Sequence, residues 1–146
     1  LIVEDRPEVA RIWRRYLEPL EMEIRWAETL ADAKAQSRKL PPPDLILLDL
    51  RLADSKDEET LKSIKELTEL NPSCAVLVLS GYVTSEITKL AIEQGAHQVI
   101  AKLSVQRADD LWNFIKTFLD KAPQSVQARM ARTATLIEKL SKLPIM

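Results

Sequence analysis

Short apolar runs alternate along the chain with stretches whose apolar residues recur every three or four positions. Leu1-Ile2-Val3 reads as a buried strand ending on Glu4-Asp5. Pro7 suits the first turn of a helix, where a missing N–H leaves no bond unmade; Val9, Ile12, Trp13 and Leu17 continue it at helical spacing, and Pro19 stops it. Met22, Ile24 and Trp26 alternate as strand residues do, and Thr29 with Asp32 three positions on marks the start of a helix reaching about Arg38. After the stiff Pro41-Pro42-Pro43 turn, residues 44–49 form another apolar run. Leu61, Ile64 and Leu67 stripe a helix that starts near Asp57 and ends before Asn71-Pro72. Residues 75–79 read as a strand. Ile87, Leu90 and Ala91 stripe a helix that Gly95 terminates. Residues 99–101 are a last short strand, and Ser104 can cap a helix carrying Leu111, Ile115, Phe118 and Leu119. Five strands alternating with five helices predict a doubly wound α/β fold: a parallel sheet covered on both faces, which is why its strands are apolar throughout.

Ligands of such sheets bind beyond the carboxyl ends of the strands. The polar residues predicted there are Glu4 and Asp5 after the first strand, Asp49 at the end of the third, Ser80 after the fourth and Lys102 after the fifth. Clustered carboxylates repel one another and call for a cation; hard oxygen donors suit Mg²⁺. A lysine and a hydroxyl facing the same place suit a phosphoryl group. Singly, each residue has a plainer reading: Glu4 and Asp5 as favourable charges before a helix N-terminus, Asp49 as a loop cap, Ser80-Gly81 as a turn, Lys102 as a surface cation. Jointly they point to chemistry.

The stretches "LIVEDRPE", "DLILLDL", "VLVLSGY" and "GAHQVIAK" together resemble, in order and spacing, the receiver domain of two-component response regulators over about residues 1–119. The resemblance implies a flavodoxin-like five-stranded sheet of order 2-1-3-4-5 and transfer of a phosphoryl group from a sensor histidine kinase or phosphotransfer protein. It implies that Asp49 is the phosphoacceptor and that Asp5, Asp49 and the backbone carbonyl of Arg51 ligate Mg²⁺, with Glu4 acting through a water. Lys102 would pair with the phosphoryl oxygens and Ser80 would hydrogen-bond one of them.

Several positions depart from the family pattern. Arg51, a long cation, stands two residues after Asp49; Ala53 stands where proline is usual and Asp57 where glycine is usual. Leu103 replaces the proline that customarily follows Lys102, and Val99 takes the place of the switch aromatic on the fifth strand. Tyr82, two beyond Ser80, is aromatic but elsewhere. Arg51 and Tyr82 flank the expected site and are expected to set the lifetime of a phosphoryl group. His97, the single histidine, reads as a surface-loop residue rather than a catalyst.

Composition narrows the rest. The 46% hydrophobic and 29% charged content of these 146 residues suits a globular core, and a net charge of −1 gives no field for nucleic acid or membrane. Cys74 is the only cysteine, so no intrachain disulfide forms, and no apolar run approaches a transmembrane length; a cytoplasmic location is expected. Residues 1–121 are assigned to the receiver and 122–146 to a helical extension. There Val126, Met130, Thr133, Ile137 and Leu140 recur at steps of four and three beside Arg129, Arg132, Lys139 and Lys142. Three roles stay open for it: packing on its own domain, homodimerisation, or linking to a further module. For the whole chain two functions are weighed: a phosphoacceptor, and a degenerate receiver serving as an interaction or dimerisation module without phosphorylation. A nucleotide- or flavin-binding protein of the same architecture is a distant third, because a glycine-rich phosphate loop is missing.

Overall fold

The structure is a computed structural model that describes residues 1–52 and 56–143. The five predicted strands are present: β1 (Ile2–Val3), β2 (Trp26–Ala27), β3 (Leu45–Asp49), β4 (Ala75–Ser80) and β5 (Gln98–Ala101). All pair in parallel in the order β2-β1-β3-β4-β5. The helices are α1 (Pro7–Leu17), α2 (Leu30–Ser37), α3 (Asp57–Leu70), α4 (Ser85–Gln94), α5 (Ala108–Lys121) and α6 (Gln124–Ser141).

Alternation along each strand builds two cores. Leu45 and Leu47 of β3, with Ala75, Leu77 and Leu79 of β4, face α1, α5 and α6. Ile46, Leu48, Val76 and Val78 face α2, α3 and α4. Both sides of every central strand are therefore buried, as the unbroken apolar runs required.

Local chemistry sets the boundaries. Pro7 opens α1 at its first position, and Thr29 Oγ1 accepts the Asp32 N–H at 3.0 Å to cap α2. Asp57, Glu58 and Glu59 fill the first turn of α3, where carboxylates meet the positive end of the helix dipole. Gly95 ends α4 at φ 112°, and a Cβ there would lie 3.2 Å from Thr68, so conformation and space both favour glycine.

Three expectations change. β2 is confined to two residues, because β1 offers it partners only at Ile2 and Val3; Met22 and Ile24 pack against the core outside the ladder. Ile12 and Leu90 face outward from their helices. Ser104 does not cap α5 but lies in a 3₁₀ turn, Lys102–Ser104. Asp110 does the capping work instead, its carboxylate accepting the N–H groups of Gln106 at 2.9 Å and Arg107 at 3.0 Å. Ala53, the replaced proline, lies outside the described residues.

α6 follows a break at Ala122-Pro123 and folds back on α5 and on the 3₁₀ turn Glu18–Leu20. Val126, Met130 and Ile137 are buried in the first core, and Thr133 sits among them as the one polar member of the seam. Arg132 pairs with Glu21, Arg129 with Asp44 at 3.2 Å, and Lys116 of α5 with Glu138 at 3.3 Å. Exposed pairs of this kind stabilise little; the buried seam fixes the helix.

Candidate functional site

The carboxyl ends of β1, β3, β4 and β5 deliver the predicted polar residues to one edge. Glu4 directly follows β1 and is 1% exposed; Asp5 beside it is half-buried. The indole Nε1–H of Trp26 donates to the Glu4 carbonyl at 2.8 Å and fixes the chain where it leaves the sheet. Asp49 is the last residue of β3 and is 3% exposed. Oxygens of Glu4, Asp5 and Asp49 lie within 4.8 Å of one another. Lys102, carried past β5 by the 3₁₀ turn, sets its ammonium 3.1 Å from Asp49 Oδ2 and 3.5 Å from Glu4 Oε2.

One ammonium facing three carboxylates leaves negative charge uncompensated. Asp49 Oδ1 accepts the Arg51 N–H at 3.1 Å, and Glu4 Oε1 accepts the Arg6 N–H at 3.4 Å. Among the described residues Glu4 Oε2 is buried and makes no hydrogen bond, its ion-pair partner being Lys102 at 3.5 Å. An orphaned carboxylate oxygen in low dielectric is costly. The Glu4 carboxyl accordingly rises from 4.5 to about 8: burial is the main cause, the adjacent Asp49 carboxylate adds to it, and Lys102 opposes. A buried orphan oxygen, two further carboxylates in reach and all-oxygen donors fit a hard divalent cation such as Mg²⁺.

The other predicted residues fall around this cluster. Ser80 ends β4 opposite Ala101, one residue before Lys102, and is 4% exposed. Its hydroxyl is engaged with its own turn: Oγ donates to the Tyr82 carbonyl at 2.8 Å and accepts the Tyr82 N–H at 3.3 Å. The Arg51 side chain swings outward to Asp57 at 3.9 Å and is 78% exposed, so only its backbone touches the cluster. Tyr82 and Leu103 are exposed, whereas Val99 packs against the second core. His97 is exposed, as expected, but has a structural task. Its Nδ1 accepts the Val76 N–H at 3.1 Å, and its ring meets Phe118 edge-on at 5.1 Å. The Trp26 contact to Glu4 and the Tyr82 backbone contact to Ser80 were not read from sequence. The first joins residues 22 apart, and the second depends on the turn's path, which residue type does not encode.

Three comparisons bear on this geometry. The sequence model of the response regulator receiver domain matches residues 1–116. The regulatory protein LuxO of Vibrio cholerae is 29% identical over 143 residues, covering 92% of this chain and 30% of LuxO. The chain thus spans under a third of the length of that relative. Among solved structures, a CheY-like receiver domain protein from Methanospirillum hungatei superposes with a TM-score of 0.69 at 26% identity, covering 82% of this chain and 91% of that one. The LuxO signal receiver domain from Vibrio parahaemolyticus gives 0.68 at 24% identity over 98% of this chain and 95% of that one, including the α6 region.

Proposed function

This chain belongs to the response regulator receiver domain family of two-component signalling, and we propose that it accepts a phosphoryl group on Asp49 from a phosphohistidine of a sensor kinase or phosphotransfer protein. A carboxylate oxygen of Asp49 attacks phosphorus; the new O–P bond forms as the P–N bond breaks and the imidazole leaves. Lys102, already at hydrogen-bond distance from Asp49, balances charge on the phosphoryl oxygens. Ser80 supplies a hydrogen bond to one of them. Asp5, Asp49 and the Arg51 carbonyl would hold Mg²⁺, with Glu4 acting through a water. The ion would supply positive charge against that developing on the phosphoryl group.

The observation that carries this reading is the buried, undercompensated carboxylate cluster with Lys102 against it. Incubation with acetyl phosphate and Mg²⁺, followed by intact mass, tests it. The reading expects a phosphoryl mass gain that disappears in Asp49→Asn and with chelator; no gain in the wild type overturns it. A second reading, a receiver acting as an interaction module without phosphorylation, is favoured by aliphatic Val99 and exposed Leu103, and absence of the mass gain would support it. Homodimerisation through the apolar seam of α6 would require Val126, Met130 and Ile137 to leave their own core for a second copy.

A further inference from the structure

Glu4 and Asp5 share one peptide bond, and that peptide is pinned from β2. The Glu4 N–H donates to the Ala27 carbonyl at 3.0 Å, the last rung between the two chains. A longer β2 would offer the Glu4 carbonyl a backbone N–H in return. β2 stops at Ala27, however, and Thr29 turns away to cap α2. The Trp26 indole supplies the donor instead, its Nε1–H reaching the Glu4 carbonyl at 2.8 Å. Asp5 makes no hydrogen bond of its own among the described residues. Its half-buried carboxylate is placed beside those of Glu4 and Asp49 by the peptide in front of it and by the start of α1 behind it. Packing alone does not hold the indole. Trp26 is only half-buried and borders a cavity of about 160 Å³ between β2 and α1, walled by Ile2, Pro7, Ala10, Arg11 and Arg14.

We propose that Trp26 is a positioning residue for the cation site: its indole N–H fixes the peptide between Glu4 and Asp5 and so holds the Asp5 carboxylate against Asp49. The proposal rests on the Mg²⁺ part of the phosphoacceptor reading for its consequence, but the hydrogen bond belongs to the resting chain. Without the donor, the Glu4 carbonyl turns to water and the peptide plane is free to rotate. Asp5 then stands beside Asp49 for only a fraction of the time. The apparent dissociation constant of a cation rises by the inverse of that fraction. Trp26 touches no carboxylate of the cluster through its N–H; it acts through the backbone that carries two of them.

Isothermal titration of the intact chain with Mg²⁺ at pH 8 tests this in wild type, Trp26→Phe and Trp26→His. Phenylalanine keeps an aromatic ring and removes the donor, so affinity should fall about fivefold, the equivalent of one neutral hydrogen bond. Histidine is smaller still, but its Nε2–H lies where the indole N–H lies, so affinity should return to near the wild-type value. A packing role predicts the reverse order, with the histidine variant the weaker. In the cation-free chain the Glu4 carbonyl ¹³C resonance should move upfield in Trp26→Phe and return in Trp26→His. Equal Mg²⁺ affinity in wild type and Trp26→Phe, or a histidine variant weaker than the phenylalanine one, overturns the proposal. A wild type that binds no Mg²⁺ overturns the cation reading instead. The Glu4 carbonyl resonance then decides alone whether Trp26 fixes this peptide, and an unmoved resonance in Trp26→Phe overturns that as well.

Discussion

At the amino end of the sheet, α6 lays Val126, Met130 and Ile137 into the core, and its arginines reach Glu21 and Asp44 across the surface. At the carboxyl end, the same strands deliver Glu4 and Asp49 into a place with one ammonium and an orphaned oxygen. The amino end follows the usual rule that apolar groups are buried and charges stay wet. Even its cavity, about 280 Å³ between Leu20, Ile24, Pro42, Leu45 and Met130, is rimmed by charges that find partners on the surface. The carboxyl end breaks that rule with two buried carboxylates. Stability is therefore gathered at one end and given up at the other, and substitutions at the two ends should move it in opposite directions.

Ile137→Ala breaks the comparison most severely. Ile137 is fully buried where α6 meets the core, so truncation should cost about 2–5 kcal/mol in denaturant unfolding. A loss under 1 kcal/mol would mean that α6 is not part of the cooperative unit.

Glu4→Gln should act the other way. Folding raises the Glu4 carboxyl from 4.5 to about 8, so at pH 7 the folded chain must take up a proton that the unfolded chain lacks. The stability tied to this group is fully present below pH 4.5 and is lost as pH rises through about 8. An amide carries no such penalty. In cation-free buffer at pH 7 the variant should be more stable by on the order of 2–3 kcal/mol, an advantage that shrinks toward pH 4.5. A destabilised variant at pH 7 would contradict the electrostatic account of this end.

His97 gives a smaller effect at the amino end. Only a neutral ring can accept the Val76 N–H through Nδ1, and partial desolvation of the otherwise exposed ring moves its pKa below the ordinary 6.5. A lowered histidine pKa means that its contribution is present above pH 6.5 and lost as pH falls through the folded value. The stability difference between wild type and His97→Phe should therefore shrink from pH 7.5 to pH 5, by about 1 kcal/mol or less for one partly exposed hydrogen bond. A difference that stays constant with pH would remove His97 from the account.

The sheet and the positions of Glu4, Asp49, Ser80 and Lys102 were legible because parallel strands are buried on both faces. A polar residue at the end of an apolar run then stands out. Interactions set by backbone path were not legible. Periodicity identified the Val126–Ile137 stripe but not the surface that receives it, since a face names no partner. Ser80 was read as facing a phosphoryl group; in the resting chain its proton goes to Tyr82, a direction fixed by the turn rather than by residue type. β2 proved shorter than its alternating pattern, because a ladder needs a neighbour as well as a suitable sequence.

The central claim is that the carboxyl end is left undercompensated in a way that a divalent cation relieves. Thermal unfolding of wild type and Asp49→Asn at pH 8, with and without Mg²⁺, tests it directly. A ligand that binds only the folded state raises the midpoint in proportion to its occupancy. Mg²⁺ should raise the wild-type midpoint clearly and that of Asp49→Asn much less. An unchanged wild-type midpoint, or equal rises in both proteins, would contradict the account.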